Sequence, residues 1–103
     1  MKILAAFAML LAAGDTPLRT LAAEDSFVQL GAERSEQAAA QSWENIRGRT
    51  GTLLDNLTPR ISPVEVKRSG RLYRLRAGPT DAANAASICA ALKPQGIDCI
   101  VVH

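Results

Sequence analysis

Few residues in this chain can do chemistry, and their spacing excludes most kinds of it. Cys89 and Cys99 lack the C-x-x-C spacing of a redox or zinc site, and His103 is the only histidine. No metal set can be assembled from those residues. No Ser-His-Asp or Cys-His arrangement exists either, and no carboxylate pair falls on a shared strand face. The reading is therefore no enzyme, no catalytic residues and no cofactor. What remains are side chains that hold a ligand without reacting with it. Gln29 sits in the apolar stretch "FVQLGA", and Arg74 and Arg76 alternate through "RLYRLRA". Phe27, Leu72 and Ile100 would lie beside them.

Composition sets the scale of what can position these groups. A chain of 103 residues is one domain plus at most a short appendage. It is 48% apolar but only 4% aromatic, so its core should be small and built from Ala, Leu, Ile and Val. A net charge of +2 argues against disorder and gives no strong case for nucleic acid as a partner. At the N-terminus, Lys2 precedes an uncharged run from Ile3 to Ala13, too short to span a bilayer. Small residues follow at Gly14 and Ala22-Ala23, so residues 1–23 read as a signal peptide and the mature chain as periplasmic. A buried N-terminal helix is the competing reading. No stable membrane span is expected after processing.

From Phe27 onward the chain divides into alternating elements. "FVQLGA" reads as a strand, with Phe27, Gln29 and Gly31 on one face and Val28, Leu30 and Ala32 on the other. "SEQAAAQSWENI" reads as a helix capped by Ser35, with Ala39, Trp43 and Ile46 on one face. Residues 48–63 are ambiguous between helix and loop, and Pro59 and Pro63 end any helix there. "VEVKR", the turn Ser69-Gly70 and "RLYRLRA" read as a hairpin. Gly78-Pro79 should end its ladder, because proline has no N–H to donate. Thr80 or Asp81 can then cap a helix to about Lys93, with Ala82, Ala85, Ala86, Cys89 and Leu92 as its apolar stripe. "DCIVV" supplies the last strand.

The order βαββαβ predicts an α+β, ferredoxin-like domain: a four-stranded antiparallel sheet with two helices on one face. The covered face is expected to carry Val28, Leu30, Tyr73, Leu75, Cys99 and Val101. Phe27, Gln29, Leu72, Arg74, Arg76, Ile100 and Val102 would share the open face, which makes it the expected binding surface. Trp43 and Tyr73 are expected in the core. The basic hairpin residues Lys67, Arg68 and Arg71 read equally well as charges protecting a sheet edge.

"FVQLGA", "YRLRAGPT" and "AASICAALKPQGIDCIVV", in this order, resemble the SPOR (sporulation-related) domain, a bacterial peptidoglycan-binding module. The resemblance covers residues 26–103, so the domain is placed at 24–103. It implies the same fold and non-catalytic binding of glycan strands lacking stem peptides, in cell-envelope or division processes. It also implies other division or cell-wall proteins as further partners. Its glutamine falls on Gln29, its third-strand arginine on Arg74, and its last-strand apolar residue on Ile100. Ala32, Glu33 and Leu72 depart from common members, which carry Ser, Phe and Trp at those positions. Physically, sugars suit amide and guanidinium groups beside flat apolar surface. The candidate glycan-binding set is Phe27, Gln29, Leu72, Arg74, Arg76 and Ile100.

The alternative is a single-stranded nucleic-acid binder of RRM-like topology. The aromatic-rich motif of that class is lacking, and export would exclude it. Cys89 and Cys99 both point inward in this reading. They would form a disulfide if the chain is exported, or remain two buried thiols otherwise.

Overall fold

The computed structural model describes residues 24–103, so the expected signal peptide lies outside the described residues. The elements run β1 (Ser26–Glu33), α1 (Glu36–Thr50), β2 (Thr58–Val66), β3 (Gly70–Thr80), α2 (Ala82–Leu92) and β4 (Ile100–Val102). One 3₁₀ turn, Lys93–Gln95, follows α2. The four strands form one antiparallel sheet in the order β2-β3-β1-β4. This is the ferredoxin-like arrangement expected from the element order.

Each helix begins where the sequence supplies a cap. Ser35 Oγ accepts a hydrogen bond from the Ala38 N–H at 3.0 Å. Asp81 Oδ1 accepts one from the Asn84 N–H at 2.7 Å. Both bonds satisfy first-turn donors that have no partner within the helix. Helix α1 buries Ala39, Trp43 and Ile46, as its spacing predicts. Helix α2 buries Ala85, Ile88, Cys89 and Leu92. Ala82 and Ala86 are exposed, which corrects the stripe read from sequence. In a helix of alanines, Ile88 and Leu92 are the two large apolar side chains, four residues apart, and burying both sets the rotation.

The core lies between the helices and one sheet face. Val28, Leu75, Ala77 and Leu92 are 0% exposed. Leu54 and Leu57, from the segment that sequence left ambiguous, belong to the same buried cluster. That segment resolves into the end of α1, a run of turns and the start of β2. Pro59 and Pro63 lie inside β2, not beyond a helix. They are tolerated because β2 is an edge strand, with one row of backbone groups facing solvent. Gly78-Pro79 likewise does not end the ladder. β3 continues to Thr80, which pairs with Ser26 after a register shift.

A second register shift falls between Gln29 and Gly31, where two residues of β1 face one of β3. Gly31 has φ of 151°, a conformation that favours glycine. The bulge reverses the alternation, so Ala32 pairs with Arg74 and joins the open face. This overturns the strict period-two assignment of Ala32 to the covered face.

Cys89 and Cys99 form a disulfide, with their Cα atoms 5.1 Å apart. It fastens α2 to the residue preceding β4. A cross-link of this kind stabilises by about 2–4 kcal/mol, chiefly by restricting the unfolded chain in the loop-entropy account.

Candidate functional site

The open face is defined by register. Residues directly opposite in antiparallel strands project to the same side. One row crosses all four strands: Arg60, Arg76, Gln29 and Ile100. The next row holds Ser62, Arg74 and Ala32, and beyond it Val64 faces Leu72. On the other flank Phe27 pairs with Val102. The six residues expected to form the site, Phe27, Gln29, Leu72, Arg74, Arg76 and Ile100, therefore share one face.

Local contacts fix several of these groups. The Arg76 Nε–H donates to Gln29 Oε1 at 2.9 Å, holding the amide and guanidinium as a unit. The Arg60 guanidinium lies over the Phe27 ring, 4.6 Å from its centroid. Phe27 in turn rests against Gly78. A Cβ built on that glycine would come within 2.7 Å of Phe27 Cδ2 and 2.9 Å of the Ser26 carbonyl oxygen. The absence of a side chain at position 78 therefore leaves room for the Phe27 ring against β3. Ile100 is 56% exposed, a large apolar side chain left in water.

At the β4 edge the face opens into a groove of about 510 Å³, lined by residues including Gln29, Ala32, Lys93, Ile97, Asp98 and Ile100. It exists because β4 pairs only with Phe27, Val28 and Gln29, while β1 continues to Glu33. The turn after α2 borders the space so left. Arg49 Nη2 donates to the Gln95 carbonyl oxygen at 2.7 Å and ties that turn to the end of α1. The disulfide holds Cys99, and with it the start of β4, at the groove wall.

The cross-strand rows of the open face carry three arginines, while Asp98 and Lys93 bring one charge of each sign to the groove beside them. Salt bridges among the described residues join Arg47 to Glu44 and Arg71 to Glu65. Arg60, Arg74 and Arg76 take part in neither. The Arg71 guanidinium, hydrogen-bonded to the Glu65 carboxylate, is held above its ordinary pKa. Arg71 and Glu65 pair on the opposite side of the hairpin, so that charge is matched within the fold.

The candidate set read from sequence lacks Arg60 and the groove wall at Lys93 and Asp98, and it puts Ala32 on the covered face. The strand containing Arg60 was hidden by its prolines, and Ala32 by the bulge. The structure also brings together Ser26 and His103, whose Oγ and Nδ1 lie 2.8 Å apart. Ser26 is 0% exposed, and among the described residues no carboxylate bonds the imidazole. The pair therefore lacks an accessible nucleophile and an orienting acid. It ties the residue after β4 to the start of β1.

A two-layer domain with one sheet face open, and that face lined by amide, guanidinium and apolar groups, has the layout of a binding module. The sequence matches the SPOR domain family model over residues 22–103, and the chain belongs to that family of peptidoglycan-binding modules. Comparison with curated proteins and with solved structures gave no match. Among the described residues, no helix is long and apolar enough to cross a membrane.

Proposed function

We propose that the open sheet face binds glycan strands of peptidoglycan from which stem peptides have been removed, in the periplasm and in envelope or division processes. The observation that carries the reading is the row Arg60, Arg76, Gln29 and Ile100, ending in the groove beside β4. It offers directional donors and acceptors next to an exposed apolar side chain, the pairing that a sugar's hydroxyl edge and flat face require. Leu72 and Phe27 extend the apolar surface, and Arg74 adds a second guanidinium row. Each neutral hydrogen bond contributes only about 1 kcal/mol. A polymer with repeating sites offsets that weakness by rebinding. The disulfide fits an oxidising compartment and thus the export read from residues 1–23.

The test is co-sedimentation of the chain with purified sacculi, before and after an amidase removes the stem peptides. Retention should rise on the stripped material and fall for Gln29→Ala with Arg74→Ala. Failure to enrich on stripped sacculi contradicts the reading. Retention on single-stranded RNA instead would favour the RRM-like alternative.

A further inference from the structure

The open face carries more positive charge than hydrogen bonding to neutral hydroxyls requires. Arg60 and Arg76 are directly opposite each other on adjacent strands, and Arg74 lies one row away opposite Ser62. Like charges in directly opposed positions destabilise a sheet. None of the three is in an ion pair among the described residues. Their geometry is nevertheless organised. Phe27 supports Arg60 from below at 4.6 Å, and Gln29 engages Arg76 through Nε. The terminal nitrogens of Arg76 therefore stay available, and the Arg60 fork is held against the ring beside them. Two guanidinium groups fixed in this way form a receptor for a planar, bidentate anion.

We infer that Arg60, with Arg76 and Arg74, recognises a carboxylate carried by the glycan. The inference rests on the glycan reading above and deepens it. Stem peptides are amide-linked to a sugar carboxyl group, and hydrolysis of that amide leaves the sugar with a free carboxylate. A stem-bearing sugar presents a neutral amide at the same position. Discrimination between stripped and unstripped strands then has an electrostatic basis as well as a steric one: the anion relieves the repulsion between the facing arginines only when the peptide is gone. Arg60 is a specificity residue in this account, and Phe27 is the residue that positions it.

Three materials separate this inference from the reading beneath it: stripped sacculi, the same sacculi with their carboxyl groups converted to methylamides, and unstripped sacculi. The chain should bind stripped sacculi about tenfold better than the methylamidated ones, the loss of one strong charge-assisted contact. Arg60→Gln should lower retention on stripped sacculi by a similar factor and retention on methylamidated sacculi by much less, because Gln still offers a neutral hydrogen bond there. Arg60→Lys should recover part of the loss, since it keeps the charge but not the fork. Raising salt should weaken binding of the native chain more than that of Arg60→Gln. Arg60 is exposed on an edge strand, so an unchanged thermal midpoint should accompany both variants. Equal binding to stripped and methylamidated sacculi would overturn carboxylate recognition while leaving the glycan reading in place. No binding to stripped sacculi would overturn both.

Discussion

The two faces of this sheet are made from alternating residues of the same strands, yet they are built to opposite ends. On the covered face Val28, Leu75 and Ala77 are 0% exposed, and two capped helices and a disulfide close over them. On the open face, Gln29, Arg74 and Arg76 are immediate chain neighbours of those core residues or lie one position further on. Among the described residues the two arginines there have no ion-pair partner, and Ile100 on the same face leaves apolar surface in water. The covered face is satisfied from within, and on the proposed function a ligand completes the open face. Stability and binding should therefore separate by residue parity along a strand.

The sharpest way to break that comparison is to remove a side chain from the covered face of β3. Leu75→Ala removes a fully buried side chain and should cost about 2–5 kcal/mol in chemical denaturation. A loss below about 1 kcal/mol would mean that the covered face is not the core. Replacing both Cys89 and Cys99 by serine should cost about 2–4 kcal/mol. It should also weaken sacculus binding, because the bridge anchors the start of β4 where Ile100 enters the groove. Binding that survives intact would show that the groove wall does not depend on the bridge.

Gly78→Ala sits between the two classes. Its Cβ meets a backbone oxygen as well as the Phe27 ring, so the backbone must shift, at about 1–3 kcal/mol. Because Phe27 would be displaced, binding should fall alongside the thermal midpoint. Asp81→Ala, which removes the α2 cap, should cost about 1 kcal/mol with no change in retention on sacculi. Smallest in stability is Gln29→Ala with Arg74→Ala, within about 0.5 kcal/mol of the native chain in the same denaturation assay. A large loss of stability in this pair would make those residues structural and dissolve the distinction between the faces.

Much of this was legible in the sequence because local signals agreed with the global fold. Ser35, and Thr80 or Asp81, marked the helix starts, Ser69-Gly70 marked the hairpin, and period-two alternation placed Arg74 and Arg76 with Leu72. The misses share a cause: tertiary context altered the meaning of a local signal. Pro59 and Pro63 read as breakers, yet an edge strand accommodates them, and Arg60 was overlooked with the strand that carries it. Ala32 was assigned by counting, and the bulge at Gly31 moved it across the sheet. The rotation of α2 could not be read from alanines whose burial differs little in free energy, and Ile88 together with Leu92 decided it. Ser26 and His103 come from opposite ends of the described chain and carried no local mark of their contact.

The central claim, that ligand binding belongs to the open face alone, is tested most directly by mapping backbone amide shifts as stripped glycan fragments are titrated into isotope-labelled protein. The account predicts that perturbations gather at Phe27, Gln29, Ala32, Arg60, Arg74, Arg76 and Ile100, with the exposed faces of α1 and α2 unmoved. Perturbations concentrated on the helices, with that set unchanged, would contradict it.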